Sequence, residues 1–177
     1  MPVLSRDGTI LLVVDLQERL MPAIEGGEAV LAAVRLLLGA AALTGVPVLA
    51  TEQNPRSLGP SLPGLGLPPD RVLAKTTFDA TAAPGLLDRL PPDGTVLLAG
   101  CEAHVCVLQT ALGLLAAGRR VAVARDATGS RRAESREAGL ARMAAEGVEV
   151  VTAEMAAFEW LGSSDHPRFR EALALIR

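Results

Sequence analysis

Apolar positions in this chain fall into two patterns. Short unbroken runs, TILLVVD (9 to 15), VPVLA (46 to 50), RVLA (71 to 74), TVLLAG (95 to 100), RVAVARD (120 to 126) and VEVVT (148 to 152), read as strands. Between them apolar residues recur at helical spacing over 28 to 44, 83 to 90, 104 to 117 and 133 to 146, then 154 to 161 and 167 to 176. Runs that are apolar on both faces and alternate with helices predict an α/β, three-layer α/β/α Rossmann-like fold with a central, mostly parallel sheet of about six strands. Gly45, Gly118 and Gly147 each close a helix just before a strand, as a left-handed C-cap does. The longest apolar stretch, 30 to 50, is cut by Arg35, Gly45 and Pro47, so it reads as a core helix, a turn and a strand rather than a membrane span. The Pro/Gly-rich segment 55 to 69 is the one long loop, a length that often belongs to a lid or binding loop.

Composition narrows the picture. The 177 residues suit a single domain, 1 to 177, with a sizeable core. A net charge of -3, mixed along the chain, gives no basic patch for nucleic acid. Two cysteines five positions apart, with no signal peptide, point to a reducing, cytoplasmic setting rather than a disulfide scaffold.

Parallel sheets carry their chemistry at the carboxyl ends of the strands. Three residues meet there. Asp15 ends the first strand, Lys75, the only lysine in the chain, follows the third, and GCEAHVC leads from the fourth into a helix whose first turn holds Cys106. A cysteine at a helix start beside an ammonium is expected to favour its thiolate below the free-thiol pKa of about 8.5. Cys106 then reads as a nucleophile, Asp15 as general base and acid, and Lys75 as the charge that holds both. The backbone amides of Glu102 and Cys106 could bind an oxyanion. Taken singly, Cys106 reads as core, Asp15 as a turn cap and Lys75 as an accident of arginine-rich composition; their convergence on one sheet edge favours the site. Cys101 ends an apolar strand and reads as core, and His104 as a turn residue. Gln17, Glu52, Gln53, Asn54 and Phe78 follow strand ends beside the three and are expected to line a pocket for a small-molecule substrate.

The runs LLVVDLQERLMPAI, ATEQNPRSLGPSLP, AKTTFDA, GCEAHVCVLQTALGLLAAG, TAEMAAFEWL and DHPRFREALALI resemble the isochorismatase-like cysteine hydrolase superfamily, closest to its isochorismatase domain-containing hydrolases. The resemblance implies a catalytic triad of Asp15, Lys75 and Cys106, a cis peptide between Cys101 and Glu102, and a homo-oligomer, dimer or larger. It implies no metal and no cofactor, because nicotinamidases carry an Asp and two His after the second strand where this chain has TEQNP. Cleavage of a small amide is the reaction that Cys106 favours; vinyl-ether hydrolysis, which needs no cysteine, and a non-enzymatic interaction module stay open. Gln17 stands where a dehalogenase-type phosphatase needs a second carboxylate, and GLG at 64 to 66 lacks the flanking strand and helix of a dinucleotide site. The apolar C-terminal segment around Phe158, Trp160 and Leu161 reads either as an interface between copies or as a helix packed on its own sheet.

Overall fold

The computed structural model describes residues 3–176. Its centre is one parallel sheet of six strands, β1 (Thr9–Val14), β2 (Val48–Gln53), β3 (Val72–Lys75), β4 (Thr95–Cys101), β5 (Arg120–Gly129) and β6 (Glu149–Val151), in the order β3-β2-β1-β4-β5-β6. Side chains alternate across each strand, and both faces are covered. Leu11 and Val13 of β1 face one apolar cluster, with α1 (Gly27–Thr44) and α5 (Ala153–Leu161); Ile10, Leu12 and Val14 face the other, with α3 (Leu108–Ala116) and α4 (Ala133–Ala145). Helix α1 is long and apolar enough to span a bilayer, yet here Val34, Leu37 and Ala41 bury its apolar stripe in the core. Helix α6 (Phe169–Ile176) packs along α1.

Several expected elements differ. The predicted helix over 83 to 90 is a single 3-10 turn, Leu87–Arg89; another, Ala80–Ala82, precedes it, and Pro84 and Gly85 separate the two. The predicted helix over 104 to 117 opens with a π-helical turn, Ala103–Val107, and becomes α-helical only at Leu108. Strand β5 runs to Gly129 instead of stopping at 126, across a register irregularity opposite Leu98 and Gly100. Asp126, read as a strand end, accepts the Ala153 N–H at 2.8 Å and so holds the start of α5. The long loop contains the short helix α2 (Pro55–Leu58) and is stitched down: the Leu62 N–H donates to the Leu16 carbonyl at 2.9 Å, and Leu65 is buried. It is part of the wall around the β1 exit rather than a free lid.

Gly100 fixes how closely β4 approaches β1 at the end of the sheet that carries Asp15. Its φ is 116°, and a Cβ there would lie 2.0 Å from the Val14 carbonyl oxygen. Gly118, after α3, has φ 75° but open space around it. Gly100→Ala should therefore lower stability by about 3 kcal/mol and Gly118→Ala by about 1 kcal/mol. Equal shifts of the two urea midpoints would contradict this account of Gly100.

Candidate active site

Asp15 leaves β1 in the left-handed region, φ 53°, at a cost of about 1 kcal/mol for a residue with a side chain. That turn places its carboxylate at the strand's carboxyl end, fully buried. Oδ1 accepts the Thr51 hydroxyl at 2.6 Å, and Oδ2 accepts Lys75 Nζ at 2.7 Å. Lys75 is the last residue of β3, and its side chain is also fully buried. Its remaining donors go to Gln53 Oε1 at 2.7 Å and to the Thr77 carbonyl at 3.3 Å. All three N–H groups of the ammonium are thus engaged. Stripping water from two charges costs several kcal/mol each, and the pair persists because each carboxylate oxygen and each ammonium proton finds a partner.

Cys106 lies in the π-helical turn after β4, close enough to Asp15 and Lys75 for both charges to act on it. The bond between Cys101 and Glu102 is cis. The expected thiolate is not favoured: burial, then the Asp15 carboxylate, push the Cys106 thiol up to about 12, with the Lys75 ammonium only partly opposing them. Cys106 is not at the start of an α-helix, and Lys75 lowers its pKa less than burial and Asp15 raise it. Cys101 lies on the opposite face, fully buried, 3.8 Å from Met21 Sδ, and burial pushes it up to about 12 as well.

The residues expected to line a pocket separate into different roles. Gln17 is fully buried, with Nε2 donating to the Gln53 and Gly59 carbonyls and Oε1 accepting the Gln53 N–H at 2.8 Å. It braces β2 against the β1 exit and has nothing left for a substrate. Gln53 holds Lys75 and donates to the Thr76 carbonyl. Glu52 points to the other face, where it accepts the Ser61 N–H and lines a separate cleft with Leu62 and Leu67. Asn54 borders a cleft of about 420 Å³ with Arg56, Thr76 and Thr77, along the outer edge of β3. Phe78 is 51% exposed, in a loop that the Ala80 N–H ties to Thr110 of α3. Thr51 escaped the sequence reading; its signal was parity, since it stands level with Val14 and alternates with Glu52. Arg131, beside Glu102, escaped it because β5 continues three residues further than its apolar run. Of the C-terminal residues proposed for an interface, Trp160 and Leu161 are buried in this chain's own core, and Phe158 alone is exposed. Among the described residues no three His, Cys, Asp or Glu side chains cluster as a metal would require.

A three-layer α/β fold with a buried Asp, Lys and Cys at one strand edge defines a class, and comparison with known proteins identifies it. The profile of the isochorismatase domain matches residues 9–155, and the chain belongs to the isochorismatase-like hydrolase family. Isochorismatase domain-containing protein 2 of Rattus norvegicus is 37% identical over 97% of this chain and 82% of its own length. Isochorismatase domain-containing protein 1 of Salmo salar is 39% identical over 96% of this chain, which spans only 61% of that protein. Among solved structures, one described as a MAR1 ribonuclease from Caenorhabditis elegans superposes with a TM-score of 0.90 at 35% identity, covering 98% of this chain and 92% of that one.

The raised thiol sets a pH dependence. A thiol whose pKa is raised stays protonated through neutrality, so alkylation of Cys106 by iodoacetamide should keep accelerating from pH 7 to beyond 10 without a plateau. Peptide mapping should find Cys106 modified ahead of Cys101. A rate that levels off below pH 8 would show a preformed thiolate instead.

Proposed function

We propose that the chain is a cysteine hydrolase that cleaves the C–N bond of a small amide, or a related carbonyl compound, through a thioester on Cys106. The observation that carries this reading is the clamped carboxylate. Asp15 is held by Thr51 and Lys75 beside a thiol that burial keeps protonated, which is the arrangement a general base needs.

In the proposed reaction the thiol proton passes to Asp15 as Sγ adds to the carbonyl carbon. The oxyanion that forms is met by the backbone N–H groups of Glu102 and Cys106. Collapse breaks the C–N bond, and Asp15 returns its proton to the departing nitrogen. Water then attacks the thioester, giving its proton to Asp15, and the sulfur leaves to recover that proton. Lys75 stays an ammonium throughout and stabilises the carboxylate whenever it is charged. An arginine fork would not fit the three-acceptor socket that Lys75 fills. The homo-oligomer implied by the family resemblance is part of this proposal, with Met155 and Phe158 of α5 as exposed apolar surface; sedimentation velocity tests it.

Ammonia release from a panel of small amides is the assay. Acid quenching during turnover should leave an acyl mass on the Cys106 peptide, and hydroxylamine should divert product to a hydroxamate. Cys106→Ala should abolish both signals, and Lys75→Arg should slow turnover by more than about tenfold, or about 1.4 kcal/mol in barrier. Activity retained in Cys106→Ala would return the protein to acid-catalysed vinyl-ether hydrolysis by Asp15. The nematode protein's description makes RNA the contrasting substrate; cleavage of an RNA oligonucleotide, lost in Asp15→Asn, would replace the amide reading. Prolonged EDTA treatment should leave amide turnover intact, since Glu52 and His104 are committed to Ser61 and Ser130.

A further inference from the structure

The loop that follows Lys75 touches the buried ammonium at one end and the nucleophile's helix at the other. Thr76, Thr77 and Phe78 are exposed, and a cleft of about 420 Å³ runs along Thr76 and Thr77. Their carbonyls nevertheless serve the buried cation. The Thr77 carbonyl accepts Lys75 Nζ at 3.3 Å. The Thr76 carbonyl accepts Gln53 Nε2 at 2.7 Å, which turns Gln53 Oε1 toward Lys75 Nζ, also at 2.7 Å. Two of the three acceptors around Lys75 therefore depend on where this loop lies, the third being Asp15.

What holds the loop is α3, which continues directly from the π-helical turn of Cys106. The Ala80 N–H donates to the Thr110 hydroxyl oxygen at 3.0 Å, and both residues are fully buried. Asp79 folds back on the loop, accepting the Thr81 N–H at 2.8 Å and the Thr81 hydroxyl at 2.7 Å. Thr110 and Gly113 share a helix face, and Gly113 lets this knot lie against α3: a Cβ there would fall 2.4 Å from Asp79 Oδ2 and 2.6 Å from Thr81 Oγ1.

We infer that Thr110 is a positioning residue for the proposed reaction: by tying the Lys75 loop to the helix that carries the nucleophile turn, it fixes the ammonium against Asp15 and Cys106. The inference rests on the reading of those three residues as the reacting group. Thr110 acts through Lys75 rather than on the reacting atoms. A loop released from α3 withdraws the Thr77 carbonyl and frees the Gln53 amide to turn, and a buried ammonium short of acceptors is strongly disfavoured.

Lys75 is the only lysine in the chain, so lysine labelled with nitrogen-15 at Nζ gives a single side-chain ammonium signal by NMR. In the full-length protein its protons should be protected from water and the signal visible at neutral pH. Thr110→Val keeps the shape and removes the acceptor, and exchange of those protons with water should rise by more than about fivefold. Thr110→Ser restores the oxygen and should keep exchange within about twofold of the unsubstituted protein. Gly118→Ala, for which a loss of stability is also expected, lies beyond the far end of α3 and should leave the signal unmoved. In amide turnover Thr110→Val should lower kcat by more than about tenfold with KM held within about twofold. An unprotected ammonium in the unsubstituted protein, a smaller rise in Thr110→Val, an equal rise in Gly118→Ala, or turnover that Thr110→Val leaves unchanged overturns the inference. Should Thr110→Val fail to fold by circular dichroism, Asp79→Ala in the loop replaces it with the same expected rise, and an unmoved signal there overturns the inference as well. If no amide is turned over, the proposed function fails while the ammonium signal still decides the role of Thr110.

Discussion

The contact between Lys75 and Asp15 is the constraint around which the rest of the site is arranged. Two opposite charges with no exposed side-chain surface can coexist only if each is fully satisfied. That requirement accounts for Thr51, which takes one carboxylate oxygen, and for Gln53, which takes one ammonium proton. It accounts at one remove for Gln17, whose amide locks the Gln53 backbone in place. Removing either charged partner leaves the other buried and alone, at a cost of about 3 to 5 kcal/mol, so the pair is a structural element as much as a chemical one.

Strand order explains why the cation has to be lysine. The sheet runs β3-β2-β1 to one side and β4-β5-β6 to the other, so its order reverses between β1 and β4. Asp15 leaves one strand at that switch point and Cys106 follows the other, in the crevice where open α/β sheets bind ligands. Lys75 comes from β3, two strands from β1 and so roughly 9 to 10 Å away across β2. A long, unbranched side chain ending in a compact charge can cross β2 beneath Thr51 and Gln53 and still fit between three acceptors. Gly100 serves the same crevice from β4, since only the absence of a side chain lets that strand lie against the Val14 peptide.

How much of this was legible in the sequence follows from which physical signals are local. The strands, their parallel order class and the meeting of Asp15, Lys75 and Cys106 at one edge could be read from apolar runs and the carboxyl-end rule. The division between Thr51 and Glu52 could not, because neighbouring strand residues point to opposite faces and only the register with β1 says which face is the site's. Gln17 looked like a ligand for the same reason that made it a brace: a polar side chain just past a strand end, whose partners at Gly59 and Gln53 are distant in sequence. Arg131 stayed hidden because β5 runs on through Ala127, Thr128 and Gly129 after Asp126, a residue whose turn-forming character signalled an end. The π-helical turn at Cys106 has no simple sequence signature, and it was this turn that removed the expected helix-start stabilisation of a thiolate.

The protonated thiol follows from counting charge in a buried site. With Asp15 ionised and Lys75 protonated the buried pair is neutral, and a thiolate beside it would add an uncompensated negative charge, which burial opposes. In the proposed reaction that charge is never added to the total. When sulfur attacks, the proton moves to Asp15 and the negative charge moves to the carbonyl oxygen, so Lys75 faces one anion before the step and one anion after it. Only the anion's position changes, from the carboxylate to the oxyanion near the Glu102 and Cys106 amides. A site built this way stabilises the transfer by relocating a charge it already holds.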